Sequence, residues 1–266
     1  MNLKYALSAV ALSAAIAVPA VAAPVFEVTP SVLGAPGSPF NANKMSGNAS
    51  TLLTLDAATQ TVTGVGWISF SSFSLDGNSV LFTGLDTSYQ VWLEYNYTTK
   101  LVSGTFGAAG SLYDVTSLSF TAYGKQFTSQ AGVNTYNNAI ATGTAPSVTL
   151  GTGTVQTLGT GALDAAGPDS ASFNAAGGTS FNANTTFTLT DFGKTFFTQP
   201  NPFYTNAFNS FTNTSQGFVT NGNFIALTQA DGAVDFAGTV PEPATLALVG
   251  LALVGAGAAA RRRRQA

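Results

Sequence analysis

The residues Tyr89-Gln90-Val91-Trp92-Leu93-Glu94-Tyr95-Asn96-Tyr97 alternate with a period of two. Tyr89, Val91, Leu93, Tyr95 and Tyr97 fall on one face of an extended strand, and Gln90, Glu94 and Asn96 share the other with Trp92. Thr61 to Phe70, Ser117 to Tyr123, Phe187 to Asp191, Gly222 to Leu227 and Val234 to Val240 read the same way, rich in Thr, Val and Phe. The turn formers Asp76-Gly77-Asn78, Asn221-Gly222 and Asp231-Gly232 separate them. The pattern predicts an all-β fold, an antiparallel β-sandwich or jelly-roll-like domain built from hairpins. Gly64 and Gly66 interrupt one predicted strand, which points to a bulge or a close backbone approach there.

Both ends of the chain differ from this body. Met1-Asn2-Leu3-Lys4 is a short basic start, Tyr5 to Val18 is apolar, and Ala20-Val21-Ala22 is a small-x-small cleavage site. Together they predict a secretory signal peptide over residues 1–22, cut after Ala22. At the other end, Val240-Pro241-Glu242-Pro243 leads into an apolar run from Ala244 to Ala260, which stops at Arg261, Arg262, Arg263 and Arg264. A helix over that run is roughly 25 Å long and just spans a hydrocarbon core of ~30 Å. The arginines act as a stop-transfer signal and leave the C-terminus in the cytoplasm. The two prolines keep Pro-Glu-Pro out of the helix, extended and open to a protease at the membrane surface. The expected organisation is a signal peptide, an extracytoplasmic β-rich domain over residues 23–239, and a tail over 240–264 with its transmembrane helix at 244–260. A Gly/Thr/Ala-rich stretch, about 142–178, is a candidate linker within the domain.

Between the two ends, four lysines stand against eleven acidic residues, a balance of −7. Nucleic acid demands basic clusters, so it is excluded as a partner. Charged residues make up 8% of the chain, which leaves solubility to Ser, Thr, Asn and Gln, as in extracellular surface proteins. Without cysteine, no disulfide contributes to stability outside the inner membrane.

The chain also has no histidine. The two absences together remove the commonest general base, the usual transition-metal ligands, the thiol nucleophile and the Ser-His-Asp triad. What survives is carboxylate chemistry, a glycosidase-like pair drawn from Asp56, Asp76, Asp86, Glu94, Asp114 or others. Glu27 and Glu94 are the only glutamates of the domain, and no local motif pairs either with a second carboxylate. No catalytic residue and no cofactor are therefore expected. Calcium is the metal that suits the chain, through Asp76-Gly77-Asn78, Asp164 with Asp169, or Asp231 with Asp235, although Asx turns account for the same residues. Exposed aromatic rings offer stacking faces for sugars. Trp67, Trp92, Tyr95, Tyr97, Tyr123, Phe203 and Tyr204 are the candidates, and Trp92, the aromatic on the polar face of its strand, is the one singled out as a candidate glycan contact.

The order Pro241-Glu242-Pro243, apolar helix, arginine cluster resembles the PEP-CTERM sorting signal of Gram-negative bacteria. The resemblance implies a substrate of an exosortase, a membrane protease-transpeptidase whose genes accompany exopolysaccharide production. It implies tail removal near Pro241 to Pro243, a transient inner-membrane anchor, and release or attachment at the cell surface. The body is similar to flocculation-associated PEP-CTERM proteins in Phe26-Glu27-Val28-Thr29-Pro30, in the stretch Phe40 to Asn48, and in Pro200-Asn201-Pro202-Phe203-Tyr204. That likeness implies a non-enzymatic surface or matrix protein that helps cells aggregate, flocculate or form biofilm with exopolysaccharide. Two alternatives stay open: a polysaccharide-active carboxylate enzyme, or a carbohydrate-binding module held by an uncut tail.

Overall fold

The computed structural model describes residues 24–165, 169–173, 178–212 and 218–237. The expected signal peptide with Ala20 and Ala22, the Pro241-Glu242-Pro243 motif, the expected helix over 244–260 and the arginines Arg261 to Arg264 lie outside the described residues.

The described residues form sixteen strands in order: β1 (Phe26–Val28), β2 (Phe40–Ala42), β3 (Lys44–Asp56), β4 (Thr61–Leu75), β5 (Asn78–Ser79), β6 (Tyr89–Ser103), β7 (Leu112–Gln126), β8 (Thr135–Asn137), β9 (Ser147–Thr149), β10 (Val155–Leu163), β11 (Asp169–Phe173), β12 (Thr179–Leu189), β13 (Phe197–Gln199), β14 (Asn206–Thr212), β15 (Phe218–Asn221) and β16 (Phe224–Ala237). Among the described residues helix is confined to 3-10 turns at Pro30–Leu33 and Gln130–Gly132 and one short helix, α1 (Gly193–Phe196). Among the described residues the sixteen strands pair antiparallel, so the all-β expectation holds.

The large sheet closes on itself. β3, β4, β6 and β7 pair in succession, and the far edge of β7 is shared by β10 and β11. Both then pair with β12, which continues through β14 and β16 back to β3. β10 and β11 run in the same direction against β12 and act as one interrupted strand. The stretch 142–178, read as a candidate linker, supplies this wall and β9. With β10 and β11 as one, the ring is β3, β4, β6, β7, β10/β11, β12, β14 and β16, eight positions, a size whose interior side chains just fill.

Inward residues are apolar, and the alternation read from Tyr89 to Tyr97 is what aims them. Tyr89, Val91, Leu93, Tyr95 and Tyr97 are all buried. Tyr97 reaches Phe181 of β12 across the interior, ring centroids 4.5 Å apart, and Phe120 stacks on Phe187 at 5.9 Å. The outer wall carries polar residues such as Thr63, Glu94, Asn96 and Ser119, all exposed. Apolar inside and polar outside is the reverse of a lipid-facing barrel. Among the described residues no helix is long and apolar enough to cross a membrane.

One end of the barrel is plugged by the small sheet β13-β1-β2. Phe26 at its centre meets Phe236, Phe197, Phe73 and Phe203 edge-on, with centroids 5.1 to 6.5 Å apart. The three segments quoted above for the body's likeness thus converge here. β1 pairs with β2, and Tyr204 Oη donates to the Val25 carbonyl at 2.8 Å.

Two glycine expectations end differently. Gly64 and Gly66 pair with Tyr97 and Tyr95, and a Cβ on them would come within 2.3 and 2.4 Å of neighbouring atoms. This is the close approach that the sequence predicts. Asp231-Gly232, by contrast, is no turn. It lies inside β16, opposite Asn48 and Gly47. Gly232 is needed there because a Cβ would meet Ile68 at 2.7 Å. Asp76-Gly77, with φ of 52° and 81°, and Gly222, with φ of 59°, do make the hairpin turns expected of them.

Candidate functional site

The outer wall of β4, β6 and β7 is where the aromatic and polar residues of interest gather. The alternation that sends Tyr89 to Tyr97 inward sends Gln90, Trp92 and Glu94 outward, and the register places Ser69 and Tyr123 on either side of Trp92. Residues 127–154, which include β8 and β9, fold back over this wall as a flap. Trp67 Nε1 donates to the Asn137 carbonyl at 2.8 Å, and Tyr136 packs on the Trp67 ring at 5.1 Å. The Asn134 amide donates to Gln90 Oε1 at 2.8 Å, and the Ala139 amide to Ser50 Oγ at 2.9 Å.

Lys125 is the strongest of these anchors. Its side chain is fully enclosed, and Nζ donates to Asn134 Oδ1 and to the Gly151 carbonyl, both at 2.7 Å. The Gly151 amide returns a bond to Asn134 Oδ1 at 3.1 Å. Burial pushes the amine's pKa below the ordinary lysine value. In the sequence Lys125 is one of the four lysines in the domain's charge balance, and no local signal distinguishes it from Lys100 or Lys194.

Trp92 is not an exposed stacking platform. Its side chain is 1% exposed, Tyr123 stacks on it with centroids 5.3 Å apart and planes 25° apart, and its Nε1 donates to Glu94 Oε1 at 3.0 Å. The candidate glycan contact is thereby corrected, because a residue on the outer face of a strand is still buried when neighbours and a flap close over it. Trp67, at 5% exposure, is closed off likewise. Tyr95 and Tyr97 belong to the core, and Phe203 to the end plug. Tyr123 is half-buried and remains at the surface.

Beside Tyr123 the wall opens into a groove of about 490 Å³, lined by Glu94, Asn96, Ser119, Thr121, Tyr123 and Thr160, with Pro146 to Val148 of the flap along one side. Ser119 Oγ donates to Asn96 Oδ1 at 3.2 Å.

The carboxylates proposed from sequence go to separate tasks. Asp76 Oδ1 accepts from Asn43 Nδ2 at 3.0 Å, Asp164 Oδ2 accepts from Asn206 Nδ2 at 2.9 Å, and Asp235 lies 3.9 Å from Lys44 Nζ. Asp169 Oδ1 accepts the Val115 amide at 2.8 Å and sits beside Asp114. Its carboxyl is pushed above the usual range, by burial first and by the charge of Asp114 as well. This pair, distant in sequence, had no signal in the chain. Among the described residues no three acidic side chains converge as a metal site.

A polar-walled all-β domain ahead of a proline-framed acidic tripeptide and an apolar, arginine-terminated tail defines an exported protein with a C-terminal sorting signal. Residues 239–264 match the PEP-CTERM protein-sorting motif. The chain therefore carries a PEP-CTERM signal, which marks it for export, exosortase-dependent sorting and a surface or membrane-associated location. No curated protein and no solved structure matches the chain.

Proposed function

We propose that this is a non-enzymatic component of the cell surface or extracellular matrix, which helps cells aggregate, flocculate or build biofilm within exopolysaccharide. Signal peptidase and the secretion machinery deliver it across the inner membrane. The helix 244–260 holds it there until an exosortase cuts near Pro241-Glu242-Pro243. The observation that carries this reading is the sorting motif at residues 239–264. One feature of the chain supports it: it lacks the histidine and cysteine on which most hydrolases rely.

The test is the intact mass of the protein recovered from producing cells and medium, beside a Pro241→Ala, Glu242→Ala, Pro243→Ala variant. The expected wild-type product begins near Ala23 and lacks the tail, while the variant stays uncut in the membrane. A full-length wild-type tail would overturn the sorting step. For the matrix role, a deletion strain is expected to settle out of suspension less readily than its parent, and unchanged aggregation counts against that role. Release of reducing sugars from polysaccharide by the wild-type protein would replace the non-enzymatic reading.

A further inference from the structure

We propose that the groove on the outer wall of β6 and β7 is a saccharide-binding site for a neutral or amino-sugar polysaccharide chain. The barrel register arranges it in three outward rows: Trp92 with Tyr123, Glu94 with Thr121, and Asn96 with Ser119. Successive outward rows on a strand are about 7 Å apart, so the lined face is about 14 Å long, enough for a short run of linked sugar rings.

The chemistry of each row suits that ligand. Tyr123 is held flat against Trp92, so its ring is fixed before any ligand arrives and offers an apolar face to the C–H side of a sugar. Glu94, anchored by the Trp92 indole, is an exposed carboxylate that forms strong, charge-assisted hydrogen bonds with hydroxyl donors. Asn96, Ser119 and Thr121 add amide and hydroxyl groups along the same line. Glu94 is the charged residue of the lining, and no lysine or arginine joins it, so a polyanion finds no counter-charge. The site rests on the matrix reading only for the source of the polymer; the ligand class comes from the groove.

Both of the chain's tryptophans lie on this wall, so intrinsic fluorescence reports on it directly. The processed protein is titrated with dextran, chitosan oligosaccharides, polysaccharide extracted from the producing cells, and dextran sulfate. A saturable change is expected with at least one of the first three and none with dextran sulfate. Glu94→Gln keeps an acceptor for the Trp92 indole and is expected to weaken binding about tenfold, as a charge-assisted hydrogen bond becomes a neutral one. Tyr123→Ala is expected to abolish binding and Tyr123→Phe to keep it. If Tyr123→Ala does not fold by circular dichroism, Glu94→Gln and Tyr123→Phe carry the test. No response to any of the first three probes, an equal response to dextran sulfate, or an affinity unmoved by Glu94→Gln overturns the site. Sugar binding in a protein whose deletion leaves aggregation intact keeps the site and sinks the matrix role. A folded but unresponsive groove in a strain that needs the protein to aggregate does the reverse.

Discussion

Gly64 and Gly66 work through what they leave out. Their missing side chains let the rings of Tyr97 and Tyr95 lie against β4, where Tyr95 Oη also meets Thr51 Oγ1 at 2.6 Å. Gly64→Ala is expected to destabilise the domain by about 1 to 3 kcal/mol, the usual cost of overpacking, seen as a lower melting temperature. This pair was legible, since two glycines in a strand pattern have few other uses. Asp169 was not, because its neighbour Asp114 arrives from another strand. A carboxyl whose folded pKa lies above its unfolded value binds more protons when folded, so its contribution is favourable at low pH and is lost as pH rises through that interval. Asp169→Asn, which keeps an acceptor for the Val115 amide, should therefore raise the melting temperature near neutral pH and have little effect in acid. Equal melting curves at neutral pH would show that the two carboxylates do not repel.

At the scale of elements, the flap over residues 127–154 is the least predictable part of the domain. β8 and β9 have three residues each, too short for period two to show, and the flap is held by side-chain bonds more than by a sheet. Asn134 stands at the junction, accepting from Lys125 and Gly151 through one oxygen. Asn134→Ala takes away one of the two acceptors of a buried amine and the acceptor of the Gly151 amide, and a buried polar group left unpaired costs about 1 to 3 kcal/mol. Because those bonds tie flap to barrel, the expected result is faster proteolysis within 127–154 with the barrel strands still protected. Uniform loss of protection would mean that flap and barrel unfold as one unit. The Gly/Thr/Ala-rich stretch misled for a related reason. Small residues that suggest a flexible linker also let β10 pack tightly: a Cβ on Gly161 would come within 2.3 Å of the Phe120 ring.

For the whole molecule, closure of the sheet changes what its composition implies. Long Thr/Val/Phe strands with few charges suggest open edges prone to pairing, yet the barrel uses its long edges internally, so self-association through them is not expected of the folded state. Closure also buries tyrosines. Burial inside the barrel raises the Tyr89, Tyr95 and Tyr97 hydroxyls, and burial under the flap pushes that of Tyr136 up to about 12. Groups with raised folded pKa values contribute stability that is intact below the unfolded value of 10.0 and lost as pH climbs beyond it. The share of tyrosine absorbance from these buried rings is therefore expected to titrate in one cooperative step with unfolding above that pH; gradual ionisation of that share without loss of structure would contradict the buried arrangement. By itself the sequence determined the strand content, the inward face of β6, most hairpin turns and the sorting tail, because each depends on residues adjacent along the chain. Only the tertiary structure decided that the sheet closes, that Trp92 is covered while Tyr123 is not, and that Glu94, Asn96 and Thr121 line one groove. Those outcomes depend on which strands become neighbours, and strand pairing across a hundred residues leaves no period in the sequence to read.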